Sequence, residues 1–312
     1  MKHVYSIYIV LLSTIGFSQQ QLAEPFLPEI IKQFPNVRDI AISPNGNEIM
    51  FTAQSVMGNL STIIHLKREG NSWSKAQIAP FSGKHFDLEP CFSPDGLRLY
   101  FVSTRPLSTK TNTPKDFDIW YVERPALNAS WSKPKNMGVP INSEYGEFYP
   151  SIAESGNLYF TRDNTTLKRK DDIYISKNQN GVYAEPIRLP DSINSEGYEY
   201  NAFIAPDESY LIFGCYNRTD GLGSGDLYIS YNVENQWTKA ENMGQAINSD
   251  KMDYCPYVDT KTNTLYFTSK RDNTKTQFDK TLKTEELLAE LNKYDNGSSR
   301  LYKVNIEPLV KN

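Results

Sequence analysis

Histidine and cysteine are both scarce in this chain of 312 residues, which has three of each. His65 and His85 are the only histidines beyond the N-terminal segment, which excludes a histidine-rich metal site and disfavours a lyase that needs histidine and a metal. Cys91, Cys215 and Cys255 form an odd set, so at least one thiol stays unpaired within a monomer. We expect small, buried, apolar cysteines, and if one bridge forms we expect it between Cys215 and Cys255.

Long apolar runs are also missing. The run from Val4 to Ile15 is shorter than the roughly 20 residues that a transmembrane helix needs, and no later stretch approaches that length. Lys2 precedes this run, and Gly16 and Ser18 follow it, a pattern that predicts a secretory signal peptide over residues 1–18. We therefore expect a periplasmic or secreted protein with no transmembrane segment after cleavage of the signal peptide.

Positive charge is not in excess, because 33 basic residues face 37 acidic ones and the net charge is −4. Such a chain is a poor binder of nucleic acid. The nucleophile motif Gly-x-Ser-x-Gly is absent, since the segment Gly221–Gly225 has its glycines in the wrong register. This absence disfavours a serine hydrolase. Aromatic residues make up 12% of the chain and include 20 tyrosines, which favours strands.

What the chain does contain is an internal repeat. The tripeptide Ile-Asn-Ser begins at Ile141, Ile193 and Ile247, at spacings of 52 and 54 residues. Each copy is followed directly by an acidic residue and by a second one three positions later. Those second acids, with one more in the same place one unit earlier, are Asp87, Glu147, Glu199 and Asp253.

Each repeat unit has the pattern of four strands. A turn such as Ser93-Pro94-Asp95-Gly96 suits a hairpin, because proline presets φ at the second position and Asp or Gly tolerates the next. The second strands after these turns are Ile49–Phe51, Leu99–Phe101, Leu158–Phe160, Leu211–Phe213 and Leu265–Phe267. The third strands are Thr62–Leu66, Asp118–Val122, Asp172–Ser176, Asp226–Ser230 and Arg300–Val304. The fourth strands are predicted to begin at the aromatic residues Trp73, Trp131, Tyr183 and Trp237. We expect these aromatic side chains to pack between neighbouring units and not to contact a ligand.

A four-stranded unit of about 50 residues that repeats around a ring is a propeller blade. We predict an all-β fold, a β-propeller of five blades with six as the alternative, in a single domain over residues 19–312. The predicted blades span residues 39–86, 87–146, 147–198, 199–252 and 253–309. The fifth unit lacks its fourth strand, and residues 24–31 resemble the fourth strand of blade three. We therefore predict that this N-terminal segment completes blade five and closes the ring.

These repeats resemble the TolB-like, WD-repeat-like β-propeller family. The resemblance rests on the Ser-Pro-Asp-Gly turn, the Leu-Tyr-Phe strand, the basic residue after it and the Asp-Ile-Tyr or Asp-Leu-Tyr that opens the next strand. It extends from Glu24 to Leu309, and the segment Arg218–Tyr228 looks like the family's glycine-rich loop. It implies a partner-binding module or an envelope protein and, more rarely, part of an enzyme. Blade one departs from the pattern with Val37 in the place of the acid.

The repeated acids are the candidate site. They begin first strands, so we expect them to surround one mouth of the central channel beside the basic residues Arg105, Arg162, Lys270 and Arg271. Like charges about 8 Å apart repel by roughly 0.5–2 kcal/mol per pair. Either arginines pair with the acids between blades or the acids bind backbone amides, or the ring binds a cation, a basic peptide or sugar hydroxyls. The predicted binding set is Asp87, Glu89, Glu147, Tyr149, Glu199, Tyr200, Asp253, Tyr254, Arg105, Arg162 and Arg271.

The pattern favours a non-catalytic binding or scaffold module of the cell envelope, a monomer whose partner is an envelope protein, a peptide or a glycan. The alternative is a glycan-active hydrolase, which needs two acids about 5–10 Å apart, one with a raised pKa. Its candidates are Asp87, Glu89, Glu147 and Glu199. No cofactor is expected; a calcium loop at Asp220–Gly225 is the one alternative, and it lacks the further acids of an EF-hand.

Two loops interrupt the repeat, Pro106–Phe117 in blade two and Asn273–Ser299 in blade five. The second contains a predicted helix over Thr284–Tyr294, with Thr284 as its N-cap and three leucines on one face. We expect either an insertion that packs on the ring or a lid or partner-docking helix.

Overall fold

Five antiparallel sheets of four or five strands follow one another in the computed structural model, which describes residues 22–108, 110, 113–166 and 171–310. The first strand of each sheet contacts that of the next, and the last sheet contacts the first. The predicted five-bladed β-propeller is confirmed, and the six-bladed alternative is wrong. The signal peptide predicted for residues 1–18 lies outside the described residues. Within those ranges, no helix is long and apolar enough to cross a membrane.

The strands follow the predicted units. The N-terminal segment contributes β1 (Glu24–Pro25) and the helix α1 (Pro28–Ile31). Blade one consists of β2 (Asn36–Ile42), β3 (Glu48–Gln54), β4 (Ser61–Glu69), β5 (Ser72–Trp73) and β6 (Gln77–Ile78). Blade two consists of β7 (Asp87–Phe92), β8 (Arg98–Ser103), β9 (Asp118–Glu123) and β10 (Lys135–Asn136). Blade three consists of β11 (Gly146–Ile152), β12 (Leu158–Asp163), β13 (Asp171–Ser176), β14 (Asn178–Gln179), β15 (Val182–Tyr183) and β16 (Ile187–Arg188).

The last two blades repeat this plan. Blade four consists of β17 (Tyr198–Ile204), β18 (Tyr210–Tyr216), β19 (Asp226–Val233), β20 (Gln236–Trp237) and β21 (Glu241–Asn242). Blade five consists of β22 (Asp253–Asp259), β23 (Thr264–Ser269), the inserted helix α2 (Thr284–Leu291) and β24 (Arg300–Asn305), and a short helix α3 (Glu307–Val310) follows.

Second strands are apolar because each lies between two strands of its own sheet and has a neighbouring blade on either face. Their repeated phenylalanine is completely buried in all five blades. These residues are Phe51, Phe101, Phe160, Phe213 and Phe267. The hydrophobic core is therefore divided into clusters between adjacent blades, and each blade depends on its neighbours for burial.

The N-terminal segment closes the ring as predicted. Glu24 pairs with Lys303 and Pro25 with Tyr302, so β1 is the outer strand of blade five. This strand is only two residues long. Residues Pro28–Ile31 form α1 instead of continuing it, and Ile31 is completely buried between blades one and five.

Two local predictions need correction. The fourth strands that pair with the body of each blade begin four residues after the repeated aromatic, as with Gln77 after Trp73. The aromatic itself packs on the core between blades. Helix α2 ends at Leu291 and has Lys283, not Thr284, at its N-cap position, where the Lys283 backbone N–H donates to Glu286 Oε2 at 2.9 Å. None of its residues is buried, and its leucines are about half exposed.

The three cysteines are free thiols, with Cys215 and Cys255 buried and Cys91 partly so. The bridge between Cys215 and Cys255 that the repeat made conceivable is not formed.

Candidate binding site

The repeated acids do not face an open channel mouth. All four are completely buried, and each is bound by an arginine of its own blade, not of the neighbouring blade. The pairs and their N–O distances are Arg105–Asp87 at 2.6 Å, Arg162–Glu147 at 2.9 Å, Arg218–Glu199 at 3.0 Å and Arg271–Asp253 at 3.1 Å. Each guanidinium also lies over two aromatic rings of its blade, as Arg105 does over Phe101 and Trp120.

Sequence reasoning missed Arg218 as the fourth of these arginines, because it lies beyond the end of β18 and opens the glycine-rich loop. The predicted basic residues included none in blade four and two in blade five, Lys270 and Arg271, and of these Lys270 is exposed. The signal that could have found Arg218 is the aromatic pair Phe213 and Tyr228, which has the same place in β18 and β19 as Phe267 and Tyr302 have in blade five.

The Ile-Asn-Ser tripeptide joins one blade to the next. In its first copy, the Asn142 amide exchanges two hydrogen bonds of 2.9 Å with the backbone of Ile119 in the preceding blade. The Ile141 carbonyl accepts from Arg162 Nη2 of the following blade at 2.8 Å, and Ser143 Oγ donates to Glu147 Oε1 at 2.5 Å. The copies at Ile193 and Ile247 repeat these contacts. The repeat signature therefore holds adjacent blades together, and we call this arrangement the latch. The latch acids are Asp87, Glu147, Glu199 and Asp253.

A second set of five residues, one in each blade, lies deeper in the channel. In blades two to five each follows the latch acid by two positions, and in blade one it follows Val37 by two positions. Its members have left-handed backbone, with φ between 51° and 58°, at a β-bulge in each first strand. They are Asp39, Glu89, Tyr149, Asn201 and Cys255, which we call the channel ring. Such a φ is uncommon outside glycine, and five equivalent instances indicate a position where the bulge re-aims the side chain.

The channel ring is linked by hydrogen bonds around Arg38. Arg38 binds Asp39 Oδ1 through Nε at 2.8 Å and Glu89 Oε1 through Nη2 at 2.6 Å. Glu89 also accepts from the Asn201 amide at 3.1 Å and from the Tyr149 backbone N–H at 2.7 Å. The Cys255 thiol donates to Asp39 Oδ1 at 2.7 Å. The cluster therefore spans all five blades.

The tyrosines predicted to offer stacking faces are packed together instead. Tyr149, Tyr200 and Tyr254 are each at most 7% exposed and form one cluster with Cys255. The Tyr149 hydroxyl donates to the Pro256 carbonyl at 2.9 Å, and the Tyr254 hydroxyl lies 2.9 Å from Ser299 Oγ. Their role is to fill the channel around the ring.

The channel opens as a cavity of about 400 Å³ at the face opposite to the latches, where first strands turn into second strands. We call this cavity the funnel. Glu89 and Tyr149 lie at its inner end, its walls are mainly apolar, and the turn residues that line it include the charged side chains Glu154, Asp259 and Lys261. The wall residues include Ile40, Ile42, Pro90, Pro150, Phe203, Pro256 and Tyr257. A concave apolar pocket with a few converging polar groups is the usual form of a ligand site.

A wider groove of about 920 Å³ between blades two and three is less suited to a ligand. Its largest aromatic, Trp131, carries the Arg124 guanidinium over its ring at 4.1 Å and packs against Phe81 and Phe92. The guanidinium therefore covers one face of the ring that a ligand would stack on.

Burial raises the pKa of Glu89 to about 7, against the lowering effect of Arg38. Burial likewise raises the pKa of Glu147 to about 7. In the glycine-rich loop, the Asp226 carboxylate turns inward to the backbone N–H groups of Leu222 and Gly223. No group of three or more His, Cys, Asp or Glu residues in the described part of the chain is placed to hold a metal ion.

We predict that Glu89 makes stability depend on pH. A carboxyl whose pKa is higher in the folded than in the unfolded state binds its proton more tightly when folded, so stability is full below about pH 4.5 and is lost as pH rises through about 7. Glu89→Gln should remove up to about 3 kcal/mol of this decline. Urea unfolding of the wild-type and Glu89→Gln proteins at pH 5, 6, 7 and 8 measures the decline. The raised pKa of Glu147 contributes equally in the two proteins, so it cancels in the comparison. Parallel curves for the two proteins would refute the prediction.

No family model matches this chain, and no curated protein matches it. Solved structures do. An endo-arabinase from Bacteroides thetaiotaomicron VPI-5482 superposes with a TM-score of 0.54 at 15% identity, over 92% of this chain and 98% of that one. The catalytic domain of an α-L-arabinofuranosidase from Coprinopsis cinerea gives 0.51 at 12% identity, over 91% and 96%. The shared feature is the β-propeller fold. At these identities nothing beyond the fold follows.

TolB from Acinetobacter baumannii gives a TM-score of 0.49 at 15% identity, over 76% of this chain. This chain spans 49% of the length of that TolB chain.

Proposed function

We propose that this protein is an exported, non-catalytic binding module of the cell envelope that holds its partner in the funnel. The observation that carries the proposal is an apolar-walled cavity of about 400 Å³ whose inner end is a buried, hydrogen-bonded polar cluster. The predicted partner remains an envelope protein, a peptide or a glycan, and the protein a monomer. We place the binding site at the face where first strands turn into second strands, and not at the channel mouth with the latch acids that the sequence predicted.

Export and family are part of the same proposal. The apolar N-terminal segment supports passage to the periplasm or exterior, and the TolB-like repeat pattern supports a partner-binding role.

Binding is favoured over catalysis because the repeated carboxylates are already paired with arginines. Each of the four latch acids is bound by an arginine and is completely buried. A glycosidase needs one carboxyl group as an acid and a second as base or nucleophile beside the substrate. Of the four hydrolase candidates, Glu89 alone lines the funnel, and its nearest carboxylate, Asp39, shares the same arginine.

The hydrolase remains the second candidate for one reason. Glu89 is a carboxyl with a pKa of about 7 at the inner end of a cavity, as a general acid would be. The similar endo-arabinase suggests arabinan as the substrate to try. Release of reducing ends from arabinan that disappears in Glu89→Gln would favour this candidate.

Filling the funnel tests the proposal. Ile42 lies in the funnel wall at the end of β2, and Ile42→Trp should reduce partner binding at least tenfold by steric exclusion. The matched control is Ile78→Trp on the outer strand β6 of the same blade, where the side chain is 56% exposed. Labelled protein is applied to peptide and glycan arrays, and the hits are measured by calorimetry. Binding that Ile42→Trp leaves intact would remove the funnel from the account.

A further inference from the structure

The channel cluster has one cation for two carboxylates. Arg38 is bound to both Asp39 and Glu89, which are 1% and 2% exposed. A single guanidinium can neutralise only one of them, and an uncompensated buried charge is costly.

The other titratable groups that face Glu89 do not supply a second positive charge. Tyr149 on β11 and Tyr254 and Cys255 on β22 all have a pKa raised by burial, so they stay neutral at physiological pH. On β7 itself, burial raises the pKa of Cys91 to about 12. Asn201 on β17 is an amide. When Glu89 is ionised, the cluster carries a net charge of −1.

Glu89 is also placed to take a further donor. Its Oε1 accepts from Arg38 and Asn201, whereas Oε2 accepts from the Tyr149 backbone N–H. A carboxylate oxygen has two acceptor positions, so Oε2 has one left for a donor that enters through the funnel. Arg38 does not line the funnel in the described part of the chain. The cation that does is Lys261, whose ammonium donates to the Pro44 carbonyl at 2.6 Å, and the funnel is also lined by the acids Glu154 and Asp259.

We propose that the funnel binds a basic side chain of a peptide, an ammonium or guanidinium group on an aliphatic stem, with Glu89 as its counter-ion. The stem would lie against Ile40, Phe203 and the ring of Tyr257, and the cation would meet Glu89 at the inner end. This inference rests on the proposed function, because it takes the funnel as the binding site.

The charge balance sets the pH dependence of binding. A cationic ligand requires ionised Glu89, so below a pKa of about 7 binding must first release a proton. Affinity should therefore rise about tenfold between pH 6 and pH 8. A neutral ligand that accepted a hydrogen bond from protonated Glu89 would show the opposite trend.

Calorimetry with two short probes tests the inference. We expect acetyl-Gly-Gly-Lys-amide to bind at least tenfold more tightly than its norleucine counterpart at pH 8, and to gain about tenfold from pH 6 to pH 8. At pH 6, measurements in buffers of different ionisation enthalpy should show release of nearly one proton, a readout that needs no variant. Glu89→Gln should abolish the preference for lysine, and the matched control Glu241→Gln, on the exposed outer strand β21, should keep it.

Three results would overturn the inference: equal binding of the two probes, affinity for the lysine probe that falls with rising pH, and no binding of that probe at millimolar concentration. The Ile42→Trp array experiment separates this failure from failure of the proposed function. A ligand that Ile42→Trp displaces keeps the funnel as the binding site even if lysine is not what enters it.

Discussion

Arg105→Met is expected to lower the free energy of unfolding by about 3–5 kcal/mol. Asp87 is completely buried, and its Oδ1 accepts from Arg105 Nη2 at 2.6 Å. Methionine would keep much of the packing against Phe101 and Trp120 but would leave the carboxylate without a counter-charge. Its remaining hydrogen bonds to Ser82 and Ser103 cannot neutralise it. Denaturant unfolding at pH 7 measures the loss.

The same substitution at Arg98 is the matched control. Arg98 is in the same blade and pairs with Glu123 at 3.3 Å, but both side chains are about 40% exposed. An exposed pair contributes little, so Arg98→Met should cost less than about 1 kcal/mol. Adding Asp87→Asn to Arg105→Met should recover part of the loss, because it removes the unpaired charge. Equal costs at Arg105 and Arg98 would show that the latch is not needed for stability.

The fold could be predicted from the sequence because every blade buries its second strand in the same way. A second strand with neighbours on every side must be apolar on both faces, so an apolar triplet that ends in phenylalanine recurs in all five blades, as Leu-Tyr-Phe in blades two, three and five. The closing strand was also predictable, because the fifth unit lacked an outer strand and the N-terminal segment resembled one. The match of Glu24-Pro25 to Glu185-Pro186 is two residues out of register, since Pro25 pairs with Tyr302 where Arg188 pairs with the equivalent Tyr174. The length of the closing strand was not predictable. Residues 24–31 were expected to form it, but the strand ends at Pro25 and α1 begins at Pro28.

The candidate site could not be predicted in the same way, because repetition marks structure. The latch acids recur and are buried structural pairs. The channel ring has a different residue in every blade, so nothing in the repeat singles out Asp39 or Asn201. Arg38 lies in blade one, the blade that departs from the repeat because Val37 stands where the other blades have an acid. One local signal was present: the proline that follows Glu89, Tyr149 and Cys255 marks the bulge.

Deletion of residues 22–34 should leave a protein that is unfolded or insoluble at 25 °C. The deletion removes β1 and exposes the edge of β24, a template for aggregation. It also removes Ile31, which is completely buried in the same core cluster as Phe51 and Leu301, between the first and last blades. Loss of this side chain alone, as in Ile31→Ala, should cost about 2–5 kcal/mol. Soluble yield and thermal melting measure both changes.

Glu29→Ala in the same helix α1 is the matched control, because the Glu29 side chain is 86% exposed and should contribute less than about 1 kcal/mol. The difference between Ile31 and Glu29 separates ring closure from a general effect on a short terminal helix. Closure acts on both blades that meet at the seam, so Ile31→Ala should lower the unfolding midpoint of the whole protein in one transition. A truncated protein with an undiminished melting temperature would mean that the ring holds together without its closing strand.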